Sequence, residues 1–180
     1  FMPGPDDFRN GYLNGGTNWQ DQIFQTAFSQ DHNVSISGGD NKGSFLFSLG
    51  SNDQQGIILN SYFTRYTIRS NFNRKVTDWF EVGNNLTLAT SKNRMARTNS
   101  ETFGIIPSAI GFNPTRPMYD PEEPSGVSED ASSGLGNPYL YAKTAKNILS
   151  GLNIYNSTYG QIKITDFLKF RQNLGFGLTK

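Results

Sequence analysis

Between Asn33 and Leu178 the chain repeatedly places an apolar residue at every second position, and the two faces so defined differ sharply in chemistry. Val34 and Ile36 alternate with Asn33, Ser35 and Ser37, and Phe45, Phe47 and Leu49 alternate with Ser44, Leu46, Ser48 and Gly50. Tyr66, Ile68, Phe72 and Val76 oppose Arg65, Thr67, Arg69, Asn71, Asn73 and Lys75, with Ser70 and Arg74 as polar interruptions of the apolar face. Phe80, Val82, Leu86 and Leu88 oppose Glu81, Gly83, Asn85 and Thr87. Later, Leu152, Ile154, Ile162 and Ile164 oppose Asn153, Ser157, Gln161 and Lys163, and Leu168, Phe170, Leu174, Phe176 and Leu178 oppose Lys169, Arg171, Asn173, Gly175 and Gly177. A period of two is the signature of a strand whose neighbours point to opposite sides, so the pattern predicts about six strands, each with one apolar face.

What lies against those faces is constrained by composition. Only 35% of the 180 residues are hydrophobic, too few for a comfortable two-layer core, yet 14 Phe, 8 Tyr and 2 Trp concentrate the apolar material in large side chains. That suits a sheet with one apolar face. A formal net charge of +1, with basic residues scattered among Asn and Ser, gives no polyanion footprint and argues against a nucleic-acid partner. The absence of cysteine excludes a disulfide framework and any thiolate metal site. No apolar run approaches the roughly 18 residues of a membrane-spanning helix, a test that a barrel strand escapes.

The connections between the runs are unequal. Gly38-Gly39-Asp40-Asn41, Thr77-Asp78 and Asp166 read as tight turns joining successive pairs into hairpins. Between the second and third runs lies the medium stretch NDQQGIILNSYFT, and between the fourth and fifth a long stretch from about Ser91 to Asn147. Short turns at one end and long loops at the other are how outer-membrane barrels are built. The connecting stretches carry helical signals of their own. TNWQDQIFQTAF places Trp19, Ile23, Phe24 and Ala27 at helical spacing behind a Thr17/Gln20 capping box. Glu101 to Ile110 predicts a turn or two of helix before Pro107 interferes, and Asn137-Pro138 caps a short helix through Lys146. NPTRPMYDPEEPSGVSED, between them, reads as an ordered but irregular surface loop.

Particular residues add to the pattern. Trp19-Gln20-Asp21, His32-Asn33, Ser35 with Ser37-Gly38-Gly39, Ser48-Leu49-Gly50, Gln55-Gly56-Ile57 and Arg65-Tyr66 resemble the start of the barrel in the SusC/RagA family of TonB-dependent outer-membrane transporters of Bacteroidetes. Asn113-Pro114 with Pro117-Met118-Tyr119-Asp120 looks like that family's third extracellular loop, and Leu168-Lys169-Phe170-Arg171 like a following strand. The resemblance implies an all-β fold, a transmembrane antiparallel β-barrel of about 22 strands of which about six consecutive ones lie here. It implies an extracellular loop with a short amphipathic helix over 1–30, four strands in two hairpins over 31–90, a long extracellular loop over 91–147 and two further strands over 148–180. Phe1 and Lys180 read as internal points of a longer chain, and the family's plug domain and TonB box fall outside it. The implied function is TonB-dependent import of oligosaccharides or peptides across the bacterial outer membrane, in nutrient uptake such as glycan import. The implied partners are a SusD-like surface lipoprotein, TonB through the N-terminal part, and membrane lipid with lipopolysaccharide. A soluble secreted carbohydrate-binding β-sandwich and a passive porin-like barrel are the alternatives.

In the barrel reading Val34, Phe45, Phe47, Ile68, Phe72, Val82, Leu86, Ile154, Phe170 and Leu174 point to lipid. Arg65, Arg69, Lys75, Lys169 and Arg171 then face the lumen or a plug, whose carboxylates would pair with them. No catalytic constellation is present: His32 is the single histidine and lacks partners at triad or metal-ligand spacing, and GFGLTK lacks a phosphate-loop pattern, so the chain does not read as an enzyme. No cofactor is expected. Asp120, Glu122, Glu123, Glu129 and Asp130 offer oxygen ligands for calcium in the extracellular loops, but match no EF-hand spacing, and a solvated loop is the simpler reading. Phe103, Phe112, Tyr119, Tyr139 and Tyr141 in the long loop are the candidates for contact with partner or substrate, since aromatic rings stack on sugars and pack at interfaces, with internal packing of the loop itself as the alternative.

Overall fold

A computed structural model describes residues 16–96, 104–120, 123–130 and 134–180. The chain forms two compact units, Ser29–Gln54 with Phe63–Asn93 and Leu149–Lys180, and Phe1–Phe28 with Gln55–Tyr62 and Arg94–Ile148.

The first unit belongs to a single sheet. β1 (Ser29–Asp40), β2 (Gly43–Gln55), β3 (Tyr62–Lys75), β4 (Phe80–Arg94), β5 (Ile148–Lys163) and β6 (Lys169–Thr179) lie side by side in sequence order. All run antiparallel to their neighbours, in agreement with the all-β, consecutive-hairpin expectation. Strands of 11 to 16 residues reach or exceed the roughly 9–11 that a tilted barrel strand needs to cross hydrocarbon.

Register sorts the side chains. Val34 lies opposite Leu49, Ile36 opposite Phe47, Ile154 opposite Leu178 and Ile162 opposite Phe170, so apolar residues of neighbouring strands share one face. Ser35 opposite Ser48, Tyr159 opposite Asn173 and Gln161 opposite Arg171 share the other. A slip of one residue would invert every assignment, so a greasy face and a polar face together fix the pairing. The apolar face is uncovered, with Val34 71% and Leu174 68% exposed. Polar residues that interrupt it satisfy one another: Asn84 Nδ2 donates to Thr158 Oγ1 at 2.7 Å, and Thr158 Oγ1 donates to Asn156 Oδ1 at 3.2 Å.

The turns are tighter than the glycines suggest. Gly38 and Gly39 stay in β1, opposite Phe45 and Ser44, and the chain reverses at Asn41-Lys42, where Asp40 Oδ1 accepts from the Lys42 amide at 2.8 Å. Gly38 is a packing glycine, since a Cβ there would stand 2.9 Å from the Phe45 ring. Val76 and Leu168, expected on strands, close the next two turns, Val76 N donating to Phe80 O and Ile164 N to Leu168 O. The medium connection shrinks to 56–61 because β2 runs on to Gln55 and β3 begins at Tyr62. Alternation of the antiparallel strands puts the three tight turns at one end of the sheet and the strand ends Gln55, Tyr62, Arg94 and Ile148 at the other.

The second unit is better built than an irregular loop. Three short helices, α1 (Trp19–Ile23), α2 (Ile105–Gly111) and α3 (Pro138–Thr144), pack pairwise around Trp19, Ile23, Ile58, Ile105, Ala109, Phe112 and Ala142. The capping residue of α1 is Asn18, whose Oδ1 accepts from Gln20 N, and not Thr17, whose hydroxyl donates to Arg116 O at 2.6 Å. α1 ends at Ile23, so Phe24 and Ala27 lie beyond it, and Phe24 instead bridges to Ile58. Pro107 sits inside the first turn of α2, where its missing N–H costs nothing because first-turn amides have no helical acceptor. α3 stops at Thr144 rather than Lys146. Its last carbonyls are taken up from outside the helix: Asn60 Nδ2 donates to Lys143 O at 3.1 Å and Arg94 Nη2 to Ala145 O at 2.8 Å. Asn60 itself holds a left-handed φ of 61°, which asparagine tolerates.

Candidate functional site

The long loop separates its aromatic residues into two kinds. Phe112 is only 2% exposed and meets the Trp19 ring edge-on, centroids 4.6 Å apart at 67°. The expectation that it contacts a partner is therefore corrected: Phe112 fills the loop's own core. Trp19, 3% exposed, is held there by its indole N–H donating to Asn113 O at 3.0 Å. Tyr141 is partly buried against the same cluster, and Phe103 lies outside the described residues.

Tyr119 is presented outward, with Tyr139 half-buried beside it. Tyr119 is 60% exposed, its ring meets Tyr139 edge-on at 6.1 Å and 75°, and the two hydroxyls lie 3.4 Å apart. The chain brings them together by two local devices. An isolated bridge between Tyr119 and Val127 fixes the first. The second sits in the opening turn of α3, whose cap Asn137 accepts from the amides of Tyr139 and Leu140 and donates through Nδ2 to Ser128 O at 2.8 Å. Lys143, one helical turn on and not singled out by sequence, donates from Nζ to Tyr139 Oη at 3.2 Å and lies 5.3 Å from its ring centroid. The hydrogen bonds from Tyr119 and then Lys143 hold the Tyr139 hydroxyl below the usual phenol range; the bond with Tyr139 pushes Tyr119 up, and the Tyr139 hydroxyl likewise raises Lys143. The result is an exposed aromatic edge beside a fixed positive charge.

On the sheet, Arg65, Arg69, Lys75, Lys169 and Arg171 all fall on the polar parity, but in different settings. Arg65 and Arg69 border a pocket of about 350 Å³ with Asp31, Asn33 and Asn52. Lys75 and Lys169 lie by the tight turns, near Asp78 and Asp166. Arg171 stacks 3.8 Å from the Tyr159 centroid, and the Tyr159 hydroxyl donates to Glu81 at 2.9 Å. That last trio escapes sequence reading because its members come from three strands; only alternation placing Tyr159 among polar residues hints at it.

The acidic residues do not converge. No group of three or more metal-ligating side chains occurs among the described residues, Asp130 is 5% exposed and bridged to Leu135, and Glu122 lies outside them. His32 is on an exposed strand position with Gln30 Oε1 3.3 Å away.

No family model matches the chain. The chain is 40% identical over 151 residues to the TonB-dependent receptor SusC of Bacteroides thetaiotaomicron, covering 78% of this chain and 15% of the receptor. It is 26% identical over 176 residues to the TonB-dependent receptor P3 of Formosa agariphila, covering 94% of this chain and 18% of that protein. Among solved structures, the RagAB peptide transporter matches with a TM-score of 0.70 at 24% identity, over 94% of this chain and 20% of the matched one. The RagAB peptide importer in its closed-closed state matches at 0.68 and 24%, over 92% and 19%. The chain thus spans less than a fifth of the curated relatives, and the solved structures agree in fold with its six-stranded sheet. Identity to SusC along most of its length, on a two-faced sheet of barrel type, establishes that the chain belongs to the SusC/RagA family of TonB-linked outer-membrane β-barrel proteins, of whose barrel it forms a segment.

Proposed function

We propose that this segment works within a TonB-dependent importer of oligosaccharides or peptides in the bacterial outer membrane. The observation that carries the reading is the uncovered apolar face of strands long enough to cross hydrocarbon, in a chain 40% identical to a TonB-dependent receptor. A soluble sandwich would need a second sheet over that face, and the described strands form one sheet only. The polar face, with Arg65, Arg69, Lys75, Lys169 and Arg171, then lines the lumen and meets whatever fills it. The test uses the complete protein in its own outer membrane. Loss of the gene and loss of TonB should each abolish uptake of the same nutrient. Uptake that survives without TonB returns the protein to the passive-barrel class, and recovery in the soluble fraction returns it to the secreted-binder class.

Tyr119 and Tyr139 give the long loop its docking edge, and a SusD-like surface lipoprotein is the partner the reading assigns to it. Their support is the exposure of Tyr119, the packing of its ring on the half-buried Tyr139 and the enrichment of tyrosine in interface cores, with Lys143 at the flank. Shortening the loop wholesale would not test this, because Thr115, Val127, Ser128 and Asp130 are buried in it. A double Tyr119→Ser, Tyr139→Ser substitution leaves those residues in place. It should reduce co-purification of the lipoprotein with the transporter; undiminished recovery would confine both tyrosines to the loop's own packing.

A further inference from the structure

Arg65 and Arg69 stand on the same face of β3 and border a pocket of about 350 Å³ whose other walls include Asp31, Asn33, Asn52 and Phe63. Neither arginine makes an ion pair among the described residues, where the pairs are Arg74 with Asp40 and Lys163 with Asp166. The one carboxylate in the lining, Asp31, accepts instead from Asn52 Nδ2 at 2.8 Å. The pocket therefore carries two exposed guanidinium groups that make no ion pair among the described residues and outnumber its single carboxylate, surrounded by amides and hydroxyls, with one aromatic ring at its border. Elsewhere on the polar face Arg171 stacks on Tyr159 and donates to Asn173, Lys163 pairs with Asp166, and Lys75 and Lys169 lie by the tight turns near Asp78 and Asp166. Arg65 lies toward the Tyr62 end of β3 and Arg69 near its middle, whereas Lys75 is at the tight-turn end.

We propose that this pocket is a binding site for an oligosaccharide bearing carboxylates, of uronate type. A planar guanidinium matches a carboxylate by two parallel hydrogen bonds, and two of them four residues apart on one strand, about 13 Å along its length, match charges repeated along a chain rather than a single point charge. The amides of Asn33 and Asn52, the hydroxyls of Ser48 and Thr67 and the Phe63 ring suit the hydroxyls and the apolar face of the sugar between those charges. This rests on the importer reading, in which the polar face lines the path of the nutrient.

The test is equilibrium binding to the purified complete transporter, a readout independent of TonB and of uptake. The probes are a galacturonate trisaccharide and its methyl ester, which has the same hydroxyls and no charge. The acid should bind about tenfold or more tightly than the ester, as expected for gained charge-assisted bonds. Arg65→Gln with Arg69→Gln should remove the preference, bringing the affinities for acid and ester together, and Arg65→Lys with Arg69→Lys should restore part of it. An intact heat-resistant barrel band for each variant separates loss of binding from loss of folding. Equal binding of acid and ester by the unmodified protein, or a preference that survives both glutamines, overturns the proposal. Displacement of the trisaccharide by an acidic tripeptide at equal concentration overturns the sugar assignment. Failure of TonB-dependent uptake with binding intact would count against the importer reading alone.

Discussion

The ring of Tyr159 on β5 lies across the backbone of Gly83 on β4, so closely that a Cβ at position 83 would fall against the ring and within 2.8 Å of its hydroxyl oxygen. The glycine is not there to bend the strand. It makes room for an aromatic side chain that covers the gap, and the same ring carries Arg171 above it and reaches Glu81 with its hydroxyl. Gly83→Val should displace the ring and break both contacts, costing about 1–3 kcal/mol as an overpacked site does. Adding Tyr159→Ser should recover part of that loss. Denaturant midpoints of the complete barrel refolded in phospholipid measure both, and additive losses would mean that the two residues do not share one site.

Sidedness of the sheet is open to a paired measurement. Ile68→Arg, on the apolar face near the middle of β3, should cost about 2–4 kcal/mol on folding into a bilayer, while Asn71→Arg on the polar face should cost far less. Equal costs would mean that the two faces have been exchanged or that neither meets lipid.

Removal of the buried ring of the loop unit gives a different signature. Phe112→Ala should cost that unit about 3–5 kcal/mol, a typical loss for an aromatic side chain emptied from a core. Protease sensitivity of the loop in intact membranes should rise, with the barrel band unchanged. A barrel that fails together with the loop would show that the two are not separately stable.

The tyrosine pair predicts an ordered alkaline titration. Tyr139, held low first by the hydrogen bond with Tyr119 and then by Lys143, should ionise before Tyr119, which the same bond holds high. Tyr119→Phe should move the Tyr139 midpoint upward, followed by carbon-13 tyrosine resonances. Tyr139, being depressed, contributes stability above its unfolded value and loses it as pH falls through its folded value. Tyr119 and Lys143, being raised, contribute below their ordinary values and lose the contribution as pH rises through their folded ones. All three changes fall on the alkaline side, so the pair should leave loop stability flat across neutral pH. Simultaneous ionisation of the two tyrosines would remove the basis for this.

Strand content and facing were legible in the sequence because alternation is a local signal: Val34, Phe47, Ile154 and Phe170 needed only their immediate neighbours to be placed. Turn positions were less so. Gly38-Gly39 resembles a turn dipeptide, but its absent side chains serve the Phe45 ring and the close approach of β2, and the reversal falls on Asn41-Lys42. The loop unit was the least legible. Its core draws Trp19 and Ile23 from one segment, Ile58 from a second, and Phe112 and Ala142 from a third, so no window of sequence contains the pattern. Phe112 therefore looked like one exposed aromatic among several. Tyr119 and Tyr139 could be picked out by residue type, whereas Lys143 could be found only after α3 had placed it one turn beyond Tyr139.

That division of the loop core among distant segments sets an order of events. Thr17 bonds to Arg116 across 99 residues and Trp19 to Asn113 across 94, and four strands are threaded between the partners. Closing such contacts early would carry a heavy entropic cost, so hairpins with reversals of two to five residues form first and the loop core closes last. A barrel whose strands have not yet paired in sequence order cannot bring Trp19 to Phe112. The loop core thus becomes complete only after the strands that separate its segments have paired, and a misassembled chain would leave that core unfinished and open to protease.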